Sequence, residues 1–419
     1  VDQSALARRF PKSFTWGFGT SAYQIEGATK EDGRGESIWD RFAKIPGKTH
    51  NGEDGEPGTD SYHRWREDIA LLKELGATAY RFSIAWPRIL PNGTGSVNPK
   101  GLAWYQQFVD GLLEAGIEPF PTLYHWDLPQ ALQDRGGWPA RDTAKAFADY
   151  ASIVVGALGD RVTRWSTLNE PLCSAWLGHL SGDMAPGLED VQAAFSASHH
   201  LLLGHGMAVR AMRAAAPKIE VGIVLNVGPG TPATDSDADR EAVRRHDMTD
   251  SGWFHDPLYF GTYPQEVIDF SGVKMPIESD DLKTISEKLD WHGLNYYFPA
   301  KIGDDPTGDG ARTTWNHIDG PKTDMGWGID AGVMRDFLIK LKNHWKAPKI
   351  YITENGSAWP DTVAADGRIY DPEREAYLMD HLTAAAEALE AGVDLRGYFG
   401  WSLLDNYEWA YGYDKRFGY

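Results

Sequence analysis

Short apolar runs alternate with longer amphipathic stretches along the whole chain. The runs span four to six residues, which is the length expected of strands. They predict eight strands: Thr15–Gly19, Ala79–Ile84, Glu118–Leu123, Thr163–Leu168, Glu220–Leu225, Trp291–Leu294, Lys349–Thr353 and Gly397–Trp401.

The stretches between these runs have apolar residues at helical spacing. In Ser61–Leu75, Ile69 and Leu72 lie on one face, and Gly76 follows as a helix stop. The same pattern predicts further helices at Lys100–Ala115, Asp142–Leu158, Val191–Ala215, Gly332–Trp345 and Pro372–Glu390, and a more polar one at Asp235–Thr249. Two Gly-rich segments predict surface loops: Lys44–Thr59 and Gly303–Gly320.

Strands that alternate with helices predict a parallel sheet, because parallel neighbours need a helical crossover. Eight such units favour an α/β fold, a closed (β/α)₈ barrel that forms one domain over residues 1–419. A doubly wound open sheet stays as the alternative, since a strand count does not show closure. The eighth strand ends near Trp401, and the residues up to Tyr419 have no amphipathic pattern, so we expect the final C-terminal helix to be missing from this chain.

The composition narrows the function classes. Of 419 residues, 42% are apolar, which excludes a disordered chain, and the net charge of −19 disfavours nucleic acid and anionic membranes as partners. The N-terminus has no apolar leader and no run is long enough to span a bilayer, so we expect a cytoplasmic protein. The single cysteine, Cys173, excludes a cysteine zinc cage, and we expect no metal or other cofactor. The oligomeric state is left open.

Two glutamates occupy the same local setting at the ends of predicted strands. Glu170 follows Thr163–Leu168, and Glu354 follows Lys349–Thr353. In a barrel both carboxylates would point into one mouth, where the catalytic groups of such barrels lie. The chain also has 17 tryptophans, whose faces suit the C–H surface of a sugar ring. Two carboxyl groups across an aromatic pocket fit the cleavage of a glycosidic bond, which needs a proton donor and a carboxylate beside the anomeric carbon.

Seven motifs carry a resemblance to a known family. In chain order they are Phe14–Gly27, Tyr80–Arg88, Thr122–Pro129, Thr167–Pro171, Gly293–Tyr297, Ile352–Gly356 and Gly400–Trp409. From Phe10 to Tyr419 the chain resembles the β-glucosidases of glycoside hydrolase family 1. The resemblance implies a (β/α)₈ barrel and retaining hydrolysis of terminal β-D-glucosyl residues. The small-molecule substrates that it implies are cellobiose, short cello-oligosaccharides and aryl or alkyl β-glucosides.

The resemblance assigns the two glutamates different roles. Glu170, in the Asn-Glu-Pro motif, matches the family's general acid/base, and Glu354, in the Thr-Glu-Asn-Gly motif, matches its nucleophile. A retaining mechanism predicts roughly 5–5.5 Å between the two carboxyl groups. Arg81 is the expected cation that keeps Glu354 ionised, and Tyr297 is an expected hydrogen-bond donor to it. Glu170 has to start protonated, which requires a raised pKa.

The resemblance also implies which residues bind the substrate. They are Gln24, His125, Trp126, Asn169, Asn295, Trp327, Trp401, Glu408, Trp409 and Phe417. Trp401 matches the platform under the sugar ring, and Trp327 matches an aromatic residue on the leaving-group side. Glu408 argues for unphosphorylated substrates, because a carboxylate repels a phosphate. Cys173 has no evident base partner, so we expect it to be a bystander at the pocket edge.

Two other functions fit part of this pattern. A carbohydrate-binding protein without catalysis would keep the aromatic pocket but needs neither glutamate, so the presence of both Glu170 and Glu354 argues against it. A transglycosylase passes the glycosyl unit to a sugar or alcohol instead of water, and it shares the covalent intermediate. The sequence does not separate hydrolysis from transglycosylation.

Overall fold

The computed structural model describes residues 2–308 and 310–419, so Val1 and Asp309 lie outside the described residues. The described residues form eleven strands: β1 (Thr15–Gly19), β2 (Ala79–Ser83), β3 (Glu118–Tyr124), β4 (Arg164–Asn169), β5 (Glu220–Val227), β6 (Gly230–Pro232), β7 (Trp291–Tyr296), β8 (Ala300–Asp304), β9 (Thr313–His317), β10 (Lys349–Asn355) and β11 (Leu395–Trp401). The eight predicted strands correspond to β1–β5, β7, β10 and β11, with bounds that differ by at most two residues.

These eight strands close into a barrel. β1 pairs with β2 on one side and with β11 on the other, and every neighbouring pair around the barrel is parallel. At the carboxyl end of β1, Gly19 is in register with both Arg81 and Trp401. The predicted parallel barrel is confirmed, and the open-sheet alternative is wrong.

The helices lie between the strands. They are α1 (Gln3–Ala7), α2 (Ala22–Ile25), α3 (Ile38–Phe42), α4 (Ser61–Glu74), α5 (Trp86–Ile89), α6 (Pro99–Glu114), α7 (Gln130–Gln133), α8 (Arg141–Leu158), α9 (Val191–Ala215), α10 (Asp237–Asp247), α11 (Trp253–Phe260), α12 (Gln265–Ser271), α13 (Asp281–Ile285), α14 (Ala331–Lys340) and α15 (Pro372–Glu390). α9 and α15 have the predicted bounds. The carboxylate of Asp190 caps α9 by accepting the N–H of Ala193, 2.9 Å away.

Three helical segments contain π-type hydrogen bonding. They are Cys173–Leu180, which follows β4, Met248–Gly252, which joins α10 to α11, and Leu341–Trp345, which extends α14. The last segment completes the predicted helix Gly332–Trp345, and the polar helix predicted over Asp235–Thr249 is α10. Because π turns widen a helix locally, they re-aim side chains and often occur at functional sites.

One segment predicted as a loop contains a strand. Gly303–Gly320 includes the undescribed Asp309, but its residues Thr313–His317 form β9, which pairs antiparallel with β8. β6 pairs with the other edge of β8, so these strands form a small sheet beside the barrel. The sequence of β9 does not alternate between apolar and polar residues. Its strand conformation therefore depends on pairing with β8. The prediction of a loop was wrong for these residues.

Large aromatic side chains fill the barrel interior. Phe120 contacts Trp291, Tyr351 and Phe399, with ring centroids 4.9 to 6.1 Å apart. These rings form a packed core inside the strands rather than a channel. A ligand therefore enters and leaves through the mouth at the carboxyl ends of the strands.

The segment after β11 contains little helical structure. Among the described residues, no α-helix follows Trp401, and the last regular element is a 3₁₀ turn at Trp409–Tyr411. Over the same described ranges, no helix combines the length and the apolar character that crossing a bilayer requires.

Two helical glycines give opposite predictions for stability. A Cβ on Gly206 of α9 would lie 1.9 Å from the carbonyl oxygen of Thr284, whereas a Cβ on Gly156 of α8 would meet nothing within 4 Å. Gly206→Ala should lower the free energy of unfolding by about 1–3 kcal/mol through overpacking. Gly156→Ala should raise it by about 0.5–1 kcal/mol, because alanine restricts the unfolded chain.

Urea unfolding of both variants and the parent measures these changes. Unchanged or raised stability of Gly206→Ala would contradict the packing of α9 against the carbonyl of Thr284. A loss of stability in Gly156→Ala would contradict the open space beside α8.

Candidate active site

A cavity of about 400 Å³ opens at the carboxyl ends of the barrel strands. Eleven of the fourteen predicted site residues line it: His125, Trp126, Asn169, Glu170, Asn295, Tyr297, Trp327, Glu354, Trp401, Glu408 and Trp409. They come from five strand ends and the segments that follow them, so the barrel brings together residues that are far apart in the sequence. The two glutamates face the same cavity, as predicted.

The other three predicted residues lie behind the cavity wall. Arg81, on β2, is 1% exposed and reaches the cavity residues from below. The amide of Gln24 donates to the backbone oxygen of Tyr407 at 2.8 Å and lies 3.4 Å from the Glu408 carboxylate. Phe417 packs its ring 6.1 Å from the ring of Trp327. The structure thus puts these side chains in contact with the cavity lining rather than in the lining itself.

Glu354 is held by one donor on each carboxylate oxygen. Arg81 Nη1 lies 2.7 Å from Oε1, and the Tyr297 hydroxyl donates to Oε2 at 2.7 Å. Arg81 also donates through Nη2 to Asn169 Oδ1 at 2.6 Å. The ion pair is almost fully buried, so it is weakly screened and stabilises negative charge on Glu354. Both sequence-predicted contacts of Glu354 are present.

Glu170 has a different environment. Its Oε1 accepts a hydrogen bond from Asn295 at 2.6 Å, and its Oε2 accepts one from the thiol of Cys173 at 3.1 Å. Burial raises the pKa of the Glu170 carboxyl, and the negative charge of Glu354 raises it further. Glu170 therefore favours the protonated form. Cys173 lines the cavity, as expected, and its thiol contacts this carboxyl group directly.

Backbone strain accompanies this placement. Glu170 has φ of +48°, and two tryptophans of the cavity, Trp126 and Trp409, have φ of +79° and +54°. Left-handed backbone is costly for side chains with a Cβ and persists only where the surroundings impose it. For Glu170, the N–H bonds to the carbonyl of Val224 at 2.9 Å, which fixes the turn that points its side chain into the cavity.

A third carboxyl group shares the cavity. Burial raises the pKa of Glu408 to about 8, and the charges of Glu354 and Glu170 contribute to the rise. Gln24 is its hydrogen-bond donor. Because only one guanidinium lies among these carboxyl groups in the described part of the chain, the cavity does not stabilise three negative charges at once.

His125 is neutral in this setting. Burial lowers its pKa well below the ordinary value, and the charge of Arg81 lowers it further. Its Nε2 lies 3.1 Å from the Asn169 amide, while Nδ1 has no partner among the described residues. If Asn169 donates, His125 carries its proton on Nδ1, next to the tryptophan faces of Trp401 and Trp409. The buried Nδ1–H then has no acceptor among the described residues.

The cavity also contains residues that the sequence analysis did not single out. Those with polar side chains are Asn226, Asp250 and Tyr411, and those that add apolar surface include Leu177, Phe298, Trp315 and Met325. Asn226 lies near the end of β5, so its strand-end position was a usable signal. Asp250 lies in the π turn after α10, where the sequence pattern gave no indication of a cavity.

The described residues contain no group of three or more His, Cys, Asp or Glu side chains that could hold a metal ion. The polar groups around the cavity are instead carboxyl, amide, imidazole and indole groups. This set suits a ligand with many hydroxyl groups, since each hydroxyl can donate to a carboxylate and accept from an amide. The arrangement supports proton transfer at one carboxyl group and charge stabilisation at the other.

Comparisons with known proteins agree with this arrangement. The family model described as Glycosyl hydrolase family 1 matches residues 6–419. A curated beta-glucosidase of Agrobacterium sp. is 46% identical over an alignment of 422 positions, which covers 100% of this chain and 92% of the relative. Beta-glucosidase A of Thermotoga maritima is 47% identical over 413 residues, which are 98% of this chain and 92% of the relative.

Solved structures are similar over the same extent. The virulence factor SghA from Agrobacterium tumefaciens has a TM-score of 0.97 at 46% identity, with 100% of this chain and 94% of that chain covered. The family 1 b-glucosidase from Thermotoga maritima has a TM-score of 0.94 at 47% identity, with 98% and 92% covered. The Thermotoga maritima protein has also been solved in complex with glucoimidazole.

The electrostatic coupling between the two glutamates gives a prediction. Glu354→Gln removes the negative charge that raises the pKa of Glu170, so this pKa should fall. Titration of ¹³C-labelled glutamate carboxyl groups by NMR, in the parent and the variant, measures the change.

Glu118→Gln is the matched control, because Glu118 begins β3 at the opposite end of the barrel and pairs with Arg164. It should leave the titration of Glu170 unchanged. A Glu170 pKa that is the same in Glu354→Gln as in the parent would show that the two carboxyl groups do not interact.

Proposed function

Because the chain belongs to glycosyl hydrolase family 1 and is a retaining β-glucosidase of that family, we propose that it acts on terminal non-reducing β-D-glucosyl residues. The proposed substrates are cellobiose, short cello-oligosaccharides and aryl or alkyl β-glucosides, and the proposed catalytic domain is the whole chain, residues 1–419. The observation that carries the proposal is the contrast between the two glutamates. Glu354 is paired with Arg81, whereas Glu170 is buried beside that negative charge without a cation of its own among the described residues.

In the first step we assign Glu354 as the nucleophile. Its carboxylate attacks the anomeric carbon, while Glu170 donates its proton to the leaving oxygen, so a covalent glucosyl-enzyme and a free alcohol are formed. Arg81 and Tyr297 orient the attacking carboxylate. The separation of roughly 5–5.5 Å between the two carboxyl groups remains a prediction of this mechanism.

In the second step the same two residues exchange charge. Once Glu354 is esterified it is neutral, so its contribution to the raised pKa of Glu170 disappears. Glu170 then accepts a proton from water, which attacks the anomeric carbon and releases glucose and the free Glu354 carboxylate. The loss of one charge therefore prepares Glu170 for its role as a base.

Glucose recognition uses polar groups at the closed end of the cavity. We assign hydroxyl contacts to His125, Asn169 and Glu408, with Trp401 as the platform under the ring. Gln24 acts from behind the cavity wall, where its amide donates to the Glu408 carboxylate. Glu408 favours an unphosphorylated sugar, because a phosphate here would add negative charge to a cavity that already holds the Glu354 carboxylate and two further carboxyl groups. A Thermotoga maritima relative has been solved in complex with glucoimidazole, which supports a glucose-like ligand for this chain.

The other residues predicted to bind the substrate support the catalytic and glucose-binding groups or contact the leaving group. We assign Asn295 to orient Glu170, to which it donates a hydrogen bond of 2.6 Å. Trp126 donates to the carbonyl of Asn169 at 2.9 Å and packs on Trp409, so it supports the glucose site. Trp327, with Phe417 behind it, provides apolar surface on the leaving-group side.

Hydrolysis of 4-nitrophenyl β-D-glucoside tests the proposed function. The parent should release nitrophenol, and Glu354→Gln should reduce kcat by about 10⁴-fold or more, because no covalent intermediate forms without the carboxylate. NMR of the first sugar product should detect the β-anomer of glucose. A folded parent without activity on β-glucosides, or a first product of α configuration, would refute the proposal.

The role of Glu170 gives a separate prediction. Glu170→Ala should lower kcat/KM for alkyl β-glucosides by about 10²–10⁴-fold, since their leaving groups need a proton. For 2,4-dinitrophenyl β-glucoside, whose leaving group departs as the anion, the loss should be small. An equal loss for both leaving groups would contradict the assignment of Glu170 as the acid.

The pH dependence of kcat/KM gives a further prediction for the same substrates. The acid must be protonated in the first step, so kcat/KM of the parent should fall as the pH rises through the raised pKa of Glu170. This alkaline limb should be absent from the profile of Glu170→Ala with 2,4-dinitrophenyl β-glucoside.

A further inference from the structure

One wall of the cavity carries polar groups that run outward from Glu170. Cys173 contacts Glu170, and Asn226 donates to the Cys173 sulfur at 3.4 Å. Two residues after Asn226, the N–H of Gly228 donates to the carboxylate of Asp250, 3.1 and 3.3 Å from its two oxygens. All of these residues line the cavity. Because Glu170 protonates the leaving oxygen in the proposed mechanism, this wall lies on the leaving-group side.

A second wall is aromatic and runs outward from Glu354. Tyr297, which is bonded to Glu354, has its ring 5.3 Å from that of Trp327, and Phe298 lies 4.9 Å from Trp327. Trp315 follows 6.2 Å from Phe298 and is 47% exposed. This wall thus extends from the nucleophile towards solvent.

The two walls approach each other at Gly228. A Cβ built on this glycine would lie 3.8 Å from Asp250 Oδ1 and 4.0 Å from the ring of Phe298. The carboxylate of Asp250 and the face of aromatic side chains therefore border the same part of the cavity. A ring that packs on the aromatic wall brings its substituents within reach of the carboxylate.

Asp250 has unused hydrogen-bonding capacity. The N–H of Gly228 is its one hydrogen-bond donor among the described residues, although an ionised carboxylate has about four acceptor positions. The nearby charged groups have other partners, since His246 bonds to the Gly228 carbonyl and Lys340 pairs with Asp247.

Asp250 is half-buried and has no ion-pair partner among the described residues, a setting that is costly unless another donor satisfies its carboxylate. Desolvation raises the pKa of the Asp250 carboxyl group, and the nearby His246 partly offsets this rise. A donor from a bound ligand would supply the missing hydrogen bond. Hydroxyl groups are such donors, whereas an apolar ring has none.

We propose that Asp250 is a specificity-determining residue that accepts a hydrogen bond from a hydroxyl group of a sugar leaving group. The inference rests on the proposed β-glucosidase function and extends it to the choice of leaving group. The aromatic wall packs on the C–H face of the leaving sugar, and Asp250 binds its edge. The enzyme then prefers a glycosyl leaving group to an apolar ring of similar size.

Two substrates with matched leaving groups test this inference. Cellobiose releases a hydroxylated six-membered ring, and cyclohexyl β-D-glucoside releases a ring of the same size with no further hydroxyl. The specificity constant kcat/KM covers all steps up to leaving-group departure, so it reports contacts with this group. Asp250→Ala should lower kcat/KM for cellobiose about tenfold, the effect of one hydrogen bond to a charged group, and change it less than twofold for the cyclohexyl substrate.

Asp247→Asn is the matched control. Asp247 lies three residues earlier, pairs with Lys340 and the N–H of Gly230, and does not line the cavity. This variant should leave the ratio of the two specificity constants unchanged. Asp250→Asn, which keeps the shape and an acceptor for Gly228, should shift the ratio in the same direction as Asp250→Ala but by less.

The outcomes separate the two proposals. One outcome is that the parent hydrolyses both substrates while neither Asp250→Ala nor Asp250→Asn changes the ratio of the two specificity constants from its value in the parent. This result overturns the role of Asp250 and leaves the proposed function intact. An equal loss for both substrates also overturns it, since a structural role alone would affect them alike. A folded parent that cleaves neither substrate overturns the proposed function and the inference with it.

Discussion

The buried ion pair between Arg81 and Glu354 is the interaction on which the cavity depends. Arg81 projects from β2, and its guanidinium also binds the Asn169 side chain of β4 and, at 3.3 Å, the carbonyl of Thr353 in β10. One cation thus links three barrel strands at the point where the cavity begins. Because a buried carboxylate without a partner is strongly destabilising, the charge of Glu354 depends on the closed barrel that brings Arg81 to it.

The other carboxyl groups take their character from this pairing. The Arg81 guanidinium forms its ion pair with Glu354. Over the described ranges, Glu170 and Glu408 therefore remain without a cation of their own beside a negative charge, and this setting favours their protonated forms. Proton donor and nucleophile therefore differ in their surroundings and not in residue type. The same principle applies at the outer end of the cavity, where Asp250 has a backbone N–H instead of a cation among the described residues.

The parts of the molecule that follow from local pattern were predictable. Buried strands show as apolar runs, and α9 has its predicted bounds because Asp190 caps its start and Pro217 follows its end. Glu170 and Glu354 were found because strand ends in a barrel meet at one mouth, although the motif resemblance was needed to give them roles. β9 was missed because its polar residues become a strand only through pairing with β8. Asp250 was missed because a π turn, which has no sequence signature, directs it to the cavity.

The left-handed backbone at Glu170 has a consequence for how this sequence can change over time. Glycine would relieve the strain there, and loss of the carboxyl group would also remove a buried group that sits beside the negative charge of Glu354. Function and stability therefore pull this position in opposite directions. Trp126 and Trp409 share the left-handed backbone, but both pack in the apolar core, so stability retains them as well. Glu170 is thus the position of the three where an idle copy of this chain would drift first.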